Sequence, residues 1–373
     1  MSDGPTSSQR GSALLALFER EGYRPVEPAI LQQADIFLEV SGEDLRKRMF
    51  MTQDGEGRDM CLRPEFTIPV CRDHLREHQD GAIGAYAYFG PVFRMRSGES
   101  GEFLQAGIEL LGRSDTEAAD AEVLALTAEA VALSGLAAPQ IRLGDVAVIK
   151  AAVKALGLAP TPARRLMRAI SAGKGAEAVK AISPIGEAEG VAQPGLAAAL
   201  QGQDAAAAKS FVEDVLAIAG ISSVGGRSAR DIAERFLARA SEQQTVPDEA
   251  QVVLARLLAV EGDPDNAATE LRHISDAARL DMTSELDAFE ARTGFMAARG
   301  LDVGAMRFSA GFARNLDYYS SFIFELHDPT PGSPKPVAGG GRYDSLLTRL
   351  GAQSPVPAVG ASIWLDRLNG RAA

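Results

Sequence analysis

Cysteine is almost absent from this 373-residue chain: Cys61 and Cys71 are the only two, and their spacing forms no CxxC pair and no disulfide framework. Long apolar runs are missing as well. Nothing approaches the ~20 consecutive apolar residues that a membrane-spanning helix needs. The N-terminal stretch MSDGPTSSQRGSALLALF carries an acidic residue early and lacks the pattern of a signal peptide. A cytoplasmic protein without a membrane partner is the expectation. Lysine is sparse, and the formal net charge is −12. That balance argues against a surface devoted to nucleic acid, where affinity comes largely from cations neutralising phosphates.

What is present is a composition that is 46% hydrophobic, in a chain long enough for two domains. Ser12 to Glu21 has helical spacing, and GYRPVEPAI reads as extended because Pro25 and Pro28 disfavour helix. CLRPEFTIPVCRDHLREH reads as a strand end turning into a helix at Thr67, with Thr67 as N-cap. AYAYFGPVFRMR, the loop SGESGE and FLQAGIELL form an antiparallel pair. A capping box from Ser114 to Glu117 opens the next helix. Between 146 and 299 alanine and leucine at helical spacing dominate, broken at PTPARR, SPIG, QPG and GDPDN. After 300, AMRFSAGF and SFIFELHD read as strands, GGGRYDSLLTRLG as a glycine turn into a helix, and AVGASIWLDRL as strand into helix. The expectation is an α+β core with an antiparallel sheet flanked by helices, from residues 1–145 and 300–373, interrupted by a mostly helical insertion at 146–299.

Three motifs invite sharper readings. SAGKGAEA suggests a phosphate loop, but Gly175 stands where GxxxxGK[ST] needs Ser or Thr, so a helix-to-helix turn is expected. HLREH, His74 to His78, matches the inverted zinc-peptidase pattern, in which two imidazoles one helical turn apart grip zinc and Glu77 serves as base. The chain has four histidines and offers no third ligand, so a charged helix face is the competing reading and no metal or cofactor is expected. GGGRYD, 339–344, lacks GxGxxG; its glycines permit close approach of a ligand or a neighbouring strand.

FLQAGIELL, 103–111, poses the most specific question. As a strand it turns Leu104, Ala106, Ile108 and Leu110 to an apolar face. Phe103, Gln105, Gly107, Glu109 and Leu111 turn to the other, so Gln105 and Glu109 lie either on a solvated face or beside a pocket floor cleared by Gly107. Glu65 and Thr67 in LRPEFT, Arg94 in FGPVFRMR, and Arg314, Asp317, Tyr318 and Tyr319 in RNLDYYSSFIFEL add polar groups at the ends of apolar strands. If RNLDYY is extended, its two tyrosines face opposite ways. Buried charges require partners. Arg94, Arg314, Glu65 and Glu109 make joint sense as a cage for a zwitterion: arginine for a carboxylate, acids for an ammonium, and amide, hydroxyl and phenol groups for a polar side chain.

In order, LRPEFT, FGPVFRMR, FLQAGIELLG, RNLDYYSSFIFEL, GGGRYDSLLTRLG and AVGASIWLDRL resemble the catalytic core of histidyl-tRNA synthetase over about residues 10–145 and 300–370. GYRPVEPAI sits where that class's dimer-interface motif belongs. Three departures stand out. The basic loop that engages ATP and the tRNA end is shortened to MRSGESGE, Phe66 and Trp364 replace small residues, and the chain ends about where an anticodon-binding domain would begin. With these departures the chain is similar to the regulatory subunits of ATP phosphoribosyltransferase, paralogues of the synthetase. That resemblance implies a non-catalytic subunit that pairs with a short-form catalytic chain at the first step of histidine biosynthesis and mediates feedback by L-histidine. It also implies a homodimer and no tRNA. Histidine binding is carried onto Glu65, Thr67, Arg94, Gln105, Glu109, Arg314, Tyr318 and Tyr319, with Tyr343 as a further candidate. The alternatives are a histidine-activating, adenylate-forming enzyme using Arg94, Arg314 and Arg367, and the zinc hydrolase of His74 and His78.

Overall fold

The computed structural model describes residues 6–40, 43–78, 82–182, 223–224, 227–228, 246–314, 318–330, 333 and 335–368. The expected helical character of 183–222 and 229–245, with the SPIG and QPG breaks, and the position of Asp317 lie outside those residues. Nine strands form one sheet. Their spatial order is Arg24–Pro25, Gly84–Phe93, Glu102–Leu111, Ala358–Trp364, Pro336–Arg342, Phe322–His327, Gln140–Asp145, Arg307–Ser309 and Glu261–Gly262. From Gly84–Phe93 across to Gln140–Asp145 every neighbour is antiparallel. Parallel pairing occurs only outside that block, where Arg24–Pro25 joins Gly84–Phe93 and Arg307–Ser309 joins Gln140–Asp145.

The alternation in FLQAGIELL is used as the pattern requires. Ala106, Ile108 and Leu110 are buried, with Leu104 packed beside them, against the helices Ser7–Arg20, Thr116–Leu133 and Thr283–Ala298. Leu14, Leu17 and Phe18 of the first helix enter this core, each contributing about 1.5–3 kcal/mol by burial. The opposite face carries Phe103, Leu111, Tyr86, Tyr88, Tyr318, Tyr343 and Trp364, covered by the helix Thr67–Glu77 and a small sheet of Leu31–Gln33, Asp59–Leu62 and Met51–Gln53. The main sheet thus separates an aliphatic core from an aromatic one. Cys61 and Cys71 are buried free thiols in the latter.

The described helices of 146–299 share the aliphatic core: Leu254, Leu257, Leu271, Ile274, Leu286 and Phe289 pack in one cluster with Leu14 and Ile108. A buried ionic chain ties them in. Arg292 donates to Asp120 at 2.8 Å and to Asp145 at 2.7 Å. Arg342 donates to the other oxygen of Asp120 at 2.9 Å and to the Thr116 carbonyl at 2.9 Å. Asp145 also accepts from the Ala147 N–H, capping the helix Val146–Ala155.

Several local expectations are corrected. The helix Thr116–Leu133 starts after Asp115 without a side-chain cap, and no box forms at Ser114, because Asp115 is drawn to Arg113. Gly339–Gly341 lie within the strand Pro336–Arg342 rather than in a turn, and the helix that follows is only Leu346–Arg349. SAGKGAEA, by contrast, is the expected turn, between the helix Pro160–Ser171 and a 3-10 helix at Gly175–Ala181. It closes with the Lys174 N–H on the Ala169 carbonyl. Asp120 is 0% exposed, so Asp120→Asn is expected to lower unfolding stability by about 3–5 kcal/mol in urea titration, because Arg292 and Arg342 each lose a charged partner in the buried chain. A change below 1 kcal/mol would show that the chain of ions is not coupled as described.

Candidate functional site

Glu109 is the centre of the aromatic face. It is 1% exposed, and three hydroxyls donate to it. Thr67 Oγ1 donates to Oε1 at 2.7 Å, Tyr88 OH lies 3.3 Å from Oε1, and Tyr343 OH donates to Oε2. Burial pushes its pKa up to about 8, with Glu65 adding to the rise, although the three hydroxyl bonds pull the other way. Desolvation wins because, among the described residues, no cation is hydrogen-bonded to it.

Glu65 behaves differently from a waiting ligand group. Its carboxylate accepts from the N–H groups of Thr67 at 2.7 Å and Ile68 at 2.9 Å. Glu65, not Thr67, therefore caps the helix Thr67–Glu77, which corrects the expectation. Thr67 occupies the first helical position, and its hydroxyl is released to reach Glu109. Burial raises the Glu65 pKa against these bonds and the field of Arg94.

The floor is made bare by glycine so that side chains can lie across it. A Cβ on Gly360, the cross-strand partner of Glu109, would sit 1.7 Å from Glu109 Oε2. One on Gly339 would sit 1.6 Å from Arg314 Nη1, and one on Gly107 would sit 2.4 Å from the Tyr88 hydroxyl. Gly107 therefore makes room for Tyr88 rather than holding an open slot.

Two arginines flank this floor. Arg94 donates through Nε to the Pro64 carbonyl at 2.6 Å. Burial lowers its pKa to about 10, opposed by Glu65 and assisted by Arg48 and Arg314. Arg314 donates to the Phe324 carbonyl at 3.2 Å and lies over the rings of Tyr319 and Trp364, at 5.8 and 5.6 Å. Tyr318 and Tyr319 do not alternate. Their rings are 5.1 Å apart and Tyr318 meets Tyr343 edge-on at 5.8 Å, because the strand begins only at Phe322. Gln105 is 1% exposed, and its Oε1 has no hydrogen-bond partner among the described residues. A buried acceptor left unpaired costs roughly 1–3 kcal/mol unless a donor arrives. Contacts thus link Thr67, Glu109, Tyr343, Tyr318, Tyr319 and Arg314, while Glu65 and Arg94 join through the helix start and their mutual field.

The two bulky replacements are accommodated differently. Phe66 stacks on Tyr88 at 4.3 Å with the rings 9° from parallel, and Arg63 lies 4.1 Å from its other side. Trp364 is the cross-strand partner of Gln105 and carries Arg314 and Arg367 near its ring. The shortened loop is strapped down. Arg96 lies 3.9 Å from the Phe103 ring centre and pairs with both Asp366 and Glu99 at 3.1 Å, while Lys335 also pairs with Glu99. These groups line a cleft of about 420 Å³.

The zinc reading loses its geometry. His74 Nδ1 is 2.7 Å from the Tyr86 hydroxyl, the His74 and His78 rings stack at 4.9 Å, and Glu77 pairs with Arg24 at 3.1 Å. Among the described residues no three metal-capable side chains come together. Sequence reasoning missed Tyr88, Ser362 and Arg63. Tyr88 OH is 2.9 Å from Ser362 Oγ, and Arg63 donates to the carbonyls of Pro91, at 2.9 Å, and Pro28. Tyr88 alone had a signal, since it faces Gly107 across the antiparallel pair.

The histidyl-tRNA synthetase family model matches residues 7–214 and 210–368. A relative from Mesorhizobium japonicum, an "ATP phosphoribosyltransferase regulatory subunit", is 40% identical over 357 residues and covers 94% of each chain. One of the same name from Sinorhizobium medicae is 41% identical over 366 residues, 95% of each chain. Two solved structures share the fold. The ATP phosphoribosyltransferase regulatory subunit/histidyl-tRNA synthetase from Bacillus halodurans has TM-score 0.69 at 20% identity, covering 99% of this chain and 80% of that one. The histidyl-tRNA synthetase from Nostoc sp. PCC 7120 has TM-score 0.64 at 17% identity, covering 99% and 72%. The chain has the class II synthetase-like α+β fold.

The raised pKa of Glu109 has a stability consequence. The folded protein holds this proton to about 8, whereas the ordinary value is 4.5. Between those values the folded state binds more protons than the unfolded one, so its stability falls as pH rises. Thermal unfolding of the unliganded protein across that window should show the decline, and Glu109→Gln should flatten it. An equal slope in the variant would refute the assignment.

Proposed function

The chain belongs to the ATP phosphoribosyltransferase regulatory subunits, built on the histidyl-tRNA synthetase fold, and we propose that it is the non-catalytic subunit required for ATP phosphoribosyltransferase activity at the first step of histidine biosynthesis. On this reading L-histidine is its feedback effector, its partners are a short-form catalytic subunit and a second copy of itself, and tRNA is not bound. Residues 1–145 and 300–373 carry the effector site, with the helices of 146–299 added to that core.

The observation that carries the effector assignment is the buried pair Gln105 and Glu109. One has an acceptor without a donor among the described residues, and the other is a carboxyl group whose raised pKa lets it donate or accept. An imidazole and an ammonium group can use both. Arg94 and Arg314 supply cations for a carboxylate, and Thr67, Tyr318, Tyr319 and Tyr343 supply the hydroxyl and aromatic surroundings. Regulation follows by linkage: histidine shifts the complex toward the conformation it binds better, by no more than its differential affinity. The strapped loop favours this reading over adenylate formation. Arg96 and Lys335, beside the site, are already matched to Glu99 and Asp366.

Mixing the protein with a short-form ATP phosphoribosyltransferase is expected to produce phosphoribosyl transfer that L-histidine suppresses. Absence of stimulation would overturn the subunit assignment, and histidine-driven ATP–pyrophosphate exchange by the isolated chain would replace it with the adenylating enzyme. In calorimetry, Glu109→Ala should abolish histidine binding with the fold retained, since a lost charge-assisted hydrogen bond is worth about 1.5–3 kcal/mol and Thr67 and Tyr343 lose their acceptor. Unchanged affinity would move the site elsewhere.

A further inference from the structure

Glu325 is assigned no part in the site described above. It stands in a row that crosses the sheet through Arg142, Glu325, Gly339, Ser362 and Gly107, each paired with the next. Its side chain is 17% exposed, and its two oxygens are divided between two partners. Oε1 lies 3.8 Å from Nε of Arg314, and Oε2 lies 3.0 Å from Nε2 of His327. Burial alone would raise its pKa, but the His327 bond and the charges of Arg314 and Arg142 outweigh burial and hold it below the ordinary carboxylate value. Glu325 is therefore an anion set beside the guanidinium.

Arg314 needs such an anion. Its side chain is 10% exposed, and a buried cation without a counter-charge is strongly unfavourable. The missing side chain of Gly339 lets the guanidinium lie flat on the strand, the Phe324 carbonyl takes one Nη1 hydrogen, and Tyr319 and Trp364 flank it. At 3.8 Å the Glu325 contact is too long to be a hydrogen bond, so it orients and neutralises Arg314 without using up its donors.

From this arrangement, and resting on the histidine-binding reading above, the geometry points to Glu325 as a positioning residue that aims Arg314 at the carboxylate of the bound amino acid, with His327 bracing Glu325 from the far side. Glu325 itself does not touch the ligand. It is a determinant of the preference for a free carboxylate over a neutral ester.

The test is calorimetric titration with L-histidine and with L-histidine methyl ester, on the wild type, Glu325→Gln, Arg314→Ala and the double variant. Glu325→Gln is near-isosteric, and circular dichroism checks its fold. Glu325→Gln should weaken L-histidine by about tenfold, leave the ester's affinity unchanged, and add nothing in the Arg314→Ala background. An equal loss for both ligands, unchanged or tighter histidine binding, or additive losses in the double variant would overturn the positioning role. A wild type that ignores L-histidine would instead bring down the effector assignment itself, a result distinct from a wild type that binds and a Glu325→Gln variant that binds as well.

Discussion

The residues Arg342, Tyr343 and Asp344 fasten the two sides of the sheet to each other, and the rest of the architecture depends on that fastening. Arg342 reaches into the aliphatic core, where Asp120 is shared with Arg292 from a helix far along the chain. Tyr343, one residue on, reaches the opposite side and donates to Glu109. Asp344 holds Arg342 and accepts the Ala358 N–H at 2.8 Å, which sets the start of the neighbouring strand. Two buried carboxylates on opposite faces are thus linked through adjacent residues. The position of a helix on one side and the shape of a polar site on the other are set by the same tripeptide.

The two carboxylates differ in what surrounds them. Asp120 lies between guanidinium groups, so its partners are internal and complete. Glu109 is hydrogen-bonded by hydroxyls, which stabilise a carboxylate less than a cation does. A buried acid with that surrounding holds its proton to a higher pH than an exposed one. Burial raises the pKa of both, but for Asp120 it is opposed by two guanidinium charges and for Glu109 by hydroxyls alone.

Much of this was legible in the sequence. The strand Glu102–Leu111 and its division into apolar and polar faces followed from period two, and so did the antiparallel pair with Gly84–Phe93. The gathering of Thr67, Glu109, Arg314 and the tyrosines followed from the order of motifs rather than from any local rule. Other features were hidden because their partners are remote. Arg292 and Asp120 are 172 positions apart, and no pattern in either neighbourhood points to the other. The triple glycine read as a turn because glycine is common in turns; its actual use is to admit Arg314 and neighbouring backbone within a strand. Thr67 read as a cap because threonine suits that position, yet Glu65 two residues earlier accepts from the Thr67 and Ile68 N–H groups and holds the helix start instead.

The glycine floor limits how such a site can change. Gly107, Gly339 and Gly360 each have a side chain from elsewhere lying where their own would be. Any substitution there collides with Tyr88, Arg314 or Glu109 before it meets a ligand. The floor is in effect written in backbone, and these three positions admit no gradual adjustment of size. A different shape of the site would have to arise from the side chains laid across the floor, one at a time, while the surface beneath them stayed as it is.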